Sequence, residues 1–460
     1  MSETLMISVS GMRGHVGTDL TPELVTRHAA ALGAWVRVAA GRTAGARPSV
    51  VLGRDARTSG PMFARAAAAG LMSVGVDVID VGVVPTPTVQ LAVEHHHAGA
   101  VLILTASHNP IEWNALKFVG PDGIFLDAES GARVRALAED GPPRMGWDGL
   151  GEVRQDDEAV TRHLDAVLAL PVIDVTAIRR RGFEVALDCV RGAGAVAMLP
   201  LLDRLGCTVK GINLAPDGRF PRPPEPVPEN LGELGRLVRD SGADIGLAVD
   251  PDVDRLALVD ETGRAIGEDY TLAFAVRSVL RGRSNAAAPP TVVVNLSTSL
   301  VVEDAARAEG ARFLRAPVGE ANVARAIREA GAVIGGEGNG GVMYPALHIG
   351  RDAPLGVALI LHLLATTRST VSEQVAGSPT YTIVKAKGPR GPELRPLYDR
   401  LRRRFADAEA DERDGLRLAW ADRWLHIRPS GTEPIVRLIA EAPSPTEAEA
   451  LVAAGRELLH

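Results

Sequence analysis

The feature that most constrains this chain is a recurring unit. A short apolar, β-branched run ends in a polar or glycine-rich loop, and an Ala/Leu-rich helical pattern follows. The runs lie at residues 50–55, 101–105, 183–188, 245–250, 291–295 and 332–336. Continuous apolar strands alternating with helices are buried on both faces, which predicts mostly parallel sheets and an α/β fold. Ligands of such sheets bind beyond the carboxyl ends of the strands, and those ends are where this chain places its unusual loops. Its 460 residues suggest roughly three domains at about 150 residues each. Three breaks raise that to four: the acid-, Gly- and Pro-rich stretch 138–160, the turn 260–263, and the segment 369–380 ahead of a strand at 382–385. The expected domains are 1–155, 156–260, 261–375 and 376–460. The first three read as similar mixed-sheet α/β domains and the last as a smaller α+β domain.

Composition excludes several classes. A hydrophobic share of 46% with 23% charged residues is that of a globular chain, not a disordered one. A net charge of −7 argues against nucleic acid as the main partner, since phosphate backbones demand a cationic face. Small anions need only a few placed donors. Cys189 and Cys207 are the only cysteines, which fits a reducing cytoplasm and rules out a Cys-based zinc site. No signal-like start and no run of ~18 apolar residues are visible, so a cytoplasmic protein with no membrane partner is expected. No Gly-Lys dipeptide exists for a Walker A loop. Residues 192–197 match a dinucleotide fingerprint, but the next strand, 207–213, lacks the acidic ribose partner, so they read as a helix start. His95, His96 and His97 read as a solvated turn.

Four loops carry candidate chemistry. Thr105-Ala106-Ser107-His108-Asn109-Pro110 is either a plain turn or an exposed nucleophilic hydroxyl. It lacks the glycines of a hydrolase elbow, and adjacent Ser and His point apart on extended chain. In Asp250-Pro251-Asp252-Val253-Asp254-Arg255, three carboxylates alternate along a segment that would spread them over about 13 Å if extended. Mg²⁺ holds oxygens at roughly 2.1 Å, so the segment must curl to bind one ion; an exposed acidic turn is the alternative. An EF-hand is a poor fit because Arg255 stands where Gly is needed. An aspartyl-phosphate phosphatase would also place Asp-x-Asp here, but Asp254 occupies the position of its hydroxyl.

The third loop has five glycines between Gly335 and Gly341, which let backbone approach a ligand, with Glu337 and Asn339 able to bond sugar hydroxyls. A flexible turn is the plain alternative. His348-Ile349-Gly350-Arg351-Asp352 follows and reads as part of the same wall. In the fourth, Arg428-Pro429-Ser430-Gly431-Thr432-Glu433-Pro434 with Arg437, a cation, hydroxyls and free backbone N–H groups suit phosphate, or a structural turn. Of 50 basic residues only Lys117, Lys210, Lys385 and Lys387 are lysines. Lys117 stands ten residues after Ser107; a Lys there is either a surface charge or a group able to release its proton when desolvated.

In this order the four loops resemble the α-D-phosphohexomutase superfamily, over essentially the whole chain from Gly11-Met12-Arg13-Gly14 onward. The resemblance implies four domains around one cleft, each contributing a loop. It implies that Ser107 carries a phosphate and that Asp250, Asp252 and Asp254, with that phosphate, hold Mg²⁺. Arg13, His108, Lys117 and Arg255 would lie near the transferring phosphate, with Lys117 or else His108 moving the proton. Glu337, Asn339 and His348 would face the sugar, and Arg428, Ser430, Gly431, Thr432 and Arg437 would clamp the distal phosphate. The implied reaction interconverts hexose 1- and 6-phosphates through a bisphosphate, with a hexose 1,6-bisphosphate as activator. Phosphoglucosamine mutase comes first, phosphomannomutase or phosphoglucomutase next, and an aspartyl-phosphate sugar phosphatase last. A sugar-phosphate sensor and a dehydrogenase are the other classes. The partners expected are hexose phosphates, and the chain is expected to be a monomer or homodimer.

Overall fold

The computed structural model describes residues 5–8, 11–40, 47–281, 283, 288–389, 393–430 and 435–459. Four sheets follow one another along the chain. The first holds β1 (Met6–Ser8), β2 (Gly11–His15), β3 (Ser49–Arg54), β4 (Asp77–Val83), β5 (Ala100–Leu104), β6 (Trp113–Val119) and β7 (Val153–Gln155), in the spatial order β1-β2-β6-β5-β3-β4-β7. The second holds β8 (Glu184–Asp188), β9 (Thr208–Ile212), β10 (Ile245–Val249) and β11 (Leu256–Val259), ordered β11-β10-β8-β9. The third holds β12 (Thr291–Asn295), β13 (Arg312–Ala316), β14 (Ile334–Glu337) and β15 (Gly341–Met343), ordered β13-β12-β14-β15. The last is antiparallel throughout: β16 (Thr382–Pro389), β17 (Glu409–Asp411), β18 (Leu416–Ala419), β19 (Trp424–Pro429) and β20 (Ile435–Ala442), ordered β16-β20-β19-β18-β17.

The first three sheets repeat one design. In each, two parallel strands flank a first strand, and a fourth strand turns back antiparallel beside the third: β6-β5-β3-β4, β11-β10-β8-β9, and β15-β14-β12-β13. The tight return from third to fourth strand is the Ser107 loop in the first sheet, the triple-Asp loop in the second and the glycine-rich loop in the third. Three loops that look unrelated in the sequence therefore occupy the same topological position. Each leaves the carboxyl end of a buried strand, where α/β sheets gather ligands.

The runs expected to be strands are buried because helices cover both faces of the parallel cores. The second and third sheets share one continuous apolar cluster, centred on the helices Asp269–Arg281 and Ala353–Thr367. The first and fourth sheets pack their own clusters. Two expectations are corrected. The stretch 138–160 is no bare linker: it contains the end of the helix Ala128–Asp140, and β7, which pairs with β4 in parallel. His95 and His96 close the helix Thr86–His96, which is held by buried Val89, Ala92 and Val93 in the preceding turns; left-handed His97 ends it. Among the described residues no helix is long and apolar enough to cross a membrane.

Candidate active site

Ser107 has a left-handed backbone (φ 48) at the exit of β5 and is buried. Such a conformation costs a non-glycine residue about 1–3 kcal/mol and needs outside support. Arg57 supplies it. Its Nε donates to Asp55 Oδ2 at 3.0 Å, while its two terminal nitrogens donate to the carbonyls of Ser107, Asn109, Pro110 and Trp113 at 2.6–2.9 Å. The Ser107 N–H donates to Thr105 Oγ1, which itself donates to Asp55 Oδ2. Arg13 Nη1 bonds Asn109 Oδ1 on the same loop at 2.6 Å.

The triple-Asp segment does curl, through Val253 at φ 62, and brings one oxygen of Asp250, Asp252 and Asp254 within 4.8 Å of one another. Ser107 Oγ donates to Asp250 Oδ2 at 2.8 Å, so the serine loop meets the acidic loop directly. Burial, and then Asp252 and Asp254, push the Asp250 carboxyl well above its ordinary range. Burial would raise Asp252 too, but Lys117 Nζ at 2.7 Å overrides it and holds the group low. Asp252 Oδ1 and Asp254 Oδ1 are buried without a hydrogen-bond partner. Three converging carboxylates, two with orphaned oxygens, suit a hard divalent cation that takes oxygen ligands. These residues fit the group.

A cavity of about 280 Å³ opens onto this junction. Its wall includes Arg13, Ser107, His108, Lys117, Arg255, Glu320, Asn322 and Arg351. His108 lies beside Ser107, with Nδ1 3.4 Å from Oγ. The charge of Arg255, then burial, takes the imidazole well below its ordinary pKa, so it is neutral at neutral pH. Arg255 Nη1 reaches Glu225 Oε1 at 3.1 Å. Buried Arg351 joins three loops. It bonds Asp254 Oδ2 at 2.6 Å, Glu337 Oε2 at 3.0 Å and Glu320 Oε2 at 3.2 Å.

The remaining expected residues are placed differently. Glu337 is buried, and both its oxygens are engaged: Oε1 accepts from Asn295 Nδ2 and the Gly319 N–H, and Oε2 from Arg351. Asn339 Oδ1 accepts from the Gly341 N–H within its own turn. His348 does not line the cavity. Its Nε2 meets Asp352 Oδ2 at 2.9 Å, and the same oxygen binds His163, whose other nitrogen bonds Thr88; this knot joins the first three domains. Arg428 and Arg437 are cross-strand partners on β19 and β20, and Lys387 on β16 is the next partner of Arg437. Three cations stand abreast on one sheet face, a positive surface that suits an anion. The Ser430 N–H bonds the Ile435 carbonyl, and Gly431 and Thr432 lie outside the described residues.

Sequence reasoning missed Arg57, Glu225, Glu320 and Lys387, and placed Arg351 only loosely. The Arg54-Asp55-Ala56-Arg57 run at a strand end was the available signal for the first. Glu320 begins the helix Glu320–Ala330 behind Gly319, and nothing local marks it as a cavity residue.

Models of the phosphoglucomutase/phosphomannomutase α/β/α domains I, II and III and C-terminal domain match residues 5–144, 161–263, 267–381 and 386–458. The chain is 38% identical over 446 residues to a Methanopyrus kandleri protein named "Probable phosphoglucosamine mutase", covering 96% of this chain and 95% of that one. It is 38% identical over 456 residues to a Thermococcus kodakarensis "Phosphoglucomutase/phosphomannomutase", covering 98% and 97%. A solved phosphoglucomutase/phosphomannomutase family protein from Burkholderia thailandensis superposes with a TM-score of 0.85 at 27% identity, over 99% of this chain and 98% of that one. Fold and relatives together define a phosphomutase, an isomerase acting as an intramolecular phosphotransferase. The chain belongs to the phosphoglucomutase/phosphomannomutase family, within the α-D-phosphohexomutase superfamily.

Proposed function

We propose that this enzyme interconverts hexose 1-phosphates and hexose 6-phosphates through a phosphoserine at Ser107 and a hexose 1,6-bisphosphate, with glucosamine phosphate as its substrate. The observation that carries the reading is Ser107 Oγ at 2.8 Å from Asp250 Oδ2, at the mouth of a cavity walled by Arg13, Lys117, Arg255 and Arg351. A divalent ion, Mg²⁺ for choice, held by Asp250, Asp252 and Asp254 would neutralise charge on the phosphoryl group.

The chain's own residues supply the rest. Arg57 and the left-handed turn hold Oγ toward the cleft. A substrate hydroxyl attacks phosphorus; its new O–P bond forms as the Oγ–P bond breaks, its proton passes to a neighbouring base, and Oγ leaves with a proton from a group beside it. The His108 ring lies 3.4 Å from Oγ, which places it to hand Oγ a proton and to take it back in the reverse transfer, while Lys117, engaged with Asp252, is the other candidate on the cavity wall. The bisphosphate then turns end for end, Arg428 and Arg437 take the other phosphate, and the reverse transfer restores phosphoserine. An aspartyl-phosphate route through Asp250 is disfavoured, because Oδ2 accepts from Ser107 and Oδ1 from the Asp254 and Arg255 N–H groups.

The substrate choice rests on the name of the Methanopyrus relative; the Thermococcus name supports glucose and mannose phosphates as the second reading. Two free thiols, Cys189 and Cys207, support a cytoplasmic setting. Intact-mass spectrometry should find one phosphate on Ser107, stable to hydroxylamine and absent from Ser107→Ala. Assays with glucosamine, mannose and glucose phosphates, each with Mg²⁺ and a hexose 1,6-bisphosphate, rank the substrates. An unphosphorylated yet fully active enzyme would overturn the proposal.

A further inference from the structure

The tip of the β17–β18 hairpin in the fourth domain has a geometry of its own. Gly415 turns it at φ 82, and a side-chain carbon there would stand 2.4 Å from the Ile427 carbonyl oxygen and 2.8 Å from Arg428 Cα. The tip is thus pressed against the strand that carries Arg428. Asp414, one residue earlier, uses one oxygen twice. Its Oδ2 accepts from Arg428 Nε at 3.0 Å and, across the domain boundary, from the Val318 N–H at 3.0 Å. The Asp414 carbonyl meets His426 Nε2 at 2.7 Å, and the other nitrogen of that ring meets Ser297 of the third domain at 2.8 Å. Arg413 Nη1 donates to the Arg315 carbonyl at 2.7 Å.

Val318 opens the segment that walls the cavity. The next N–H, that of Gly319, donates to Glu337, and Glu320 bonds Arg351, the partner of Asp254. Hydrogen bonds and ion pairs therefore run unbroken from Arg428 to the acidic loop, and Asp414 joins the two domains along that line.

We propose that Asp414 is a positioning residue for the distal phosphate. It orients the guanidinium of Arg428 and sets it at a fixed distance from the cavity wall at 318–320. This rests on the reading of Arg428 as a clamp for the non-reacting phosphate of a hexose phosphate. A carboxylate on Nε leaves the terminal nitrogens as the edge turned to a ligand, and a charge-assisted bond is directional enough to fix that edge.

The test is a double-mutant cycle on the full-length enzyme with Asp414→Asn, Arg428→Ala and the pair. It is read on KM and kcat for glucosamine 1-phosphate and on the Kd of glucosamine 6-phosphate by calorimetry. Asp414→Asn should raise KM and Kd about tenfold, the scale of one lost charged hydrogen bond, and leave kcat within about threefold. In the Arg428→Ala background it should add less than about twofold, because residues acting through one another are not additive. Asp414→Glu, which keeps the charge but displaces it, should show the same pattern and serves if the Asn variant does not fold. Effects that multiply in the double variant, or fall on kcat with Kd unchanged, would overturn the proposal. A wild-type chain that binds the sugar phosphates without isomerising them would instead sink the proposed reaction, and the cycle on Kd would still decide Asp414.

Discussion

Replacing Arg351 by methionine would leave a side chain of comparable length with no charge among three buried carboxylates. Arg351 faces Asp254, Glu337 and Glu320 at 2.6, 3.0 and 3.2 Å. At an effective dielectric of about 20, each charge pair separated by about 4 Å contributes about 4 kcal/mol of attraction. Most of that sum offsets the desolvation of the charges, and a carboxylate left alone can take a proton. Glu320 is the group to do so, since burial already raises its pKa against the pull of Arg351. The net loss then matches that of breaking one buried pair, about 3–5 kcal/mol. For a unit of 150–250 residues this lowers Tm by roughly 6–20 °C. The sign of the pH dependence follows. Without Arg351 the Glu320 pKa rises further, the folded state binds that proton more tightly than the unfolded one, and the deficit shrinks on acidification. Scanning calorimetry of wild type and Arg351→Met between about pH 8 and about pH 5 measures both quantities. A loss under about 1 kcal/mol, or a deficit that grows as pH falls, would refute the reasoning.

Ser107→Ala should lower mutase turnover by at least roughly 10⁴-fold with Tm almost unchanged; residual activity near wild type would assign the nucleophile elsewhere. Adding Mg²⁺ to EDTA-treated enzyme should raise Tm, by about 2.7 kcal/mol in stability at a hundred times Kd, because a cation relieves the repulsion among Asp250, Asp252 and Asp254. Asp250→Asn should blunt that response. Buried Glu441 accepts from Ser299, the Leu300 N–H and Trp424 Nε1 across the third and fourth domains, and burial raises its pKa. The folded state therefore binds its proton more tightly, and stability should fall as pH climbs above about 4.5. Glu441→Gln should flatten that slope in a Tm-against-pH series. Gly415→Ala should cost about 1–3 kcal/mol through its positive φ alone, and it should raise KM for hexose phosphates by displacing the hairpin tip.

Much of the fold was legible because hydrophobic periodicity is a local property. The apolar runs that end at Asp55, Thr105, Asp188 and Asp250 are strands, since each is long enough only for a buried strand and is followed by a helical pattern. The acidic loop was legible in its chemistry, as three alternating carboxylates must converge or repel. Its means of converging, a left-handed Val253, was not, because nothing in a valine advertises positive φ. The histidines at 95–97 were misread because three polar residues in a row resemble a turn, whereas the helix they end is held by apolar residues one and two turns earlier.

The amino-acid order by itself determined the strand-and-loop units, the candidate side chains on their loops and the sign of the charge around them. Propensity, patterning and charge all reside in residues close together along the chain. Tertiary structure alone decided that the three return loops are topologically equivalent, and that Arg57 spends its donors on carbonyls some fifty residues away. It alone set Arg351, rather than His348, against the cavity, and made Asp414 the link between Arg428 and Val318. Those choices depend on strand order and on which polar atoms are left to be satisfied once the cores have packed. Burial makes each unsatisfied polar atom costly, so its partner is found wherever the fold has brought one, at any distance in sequence.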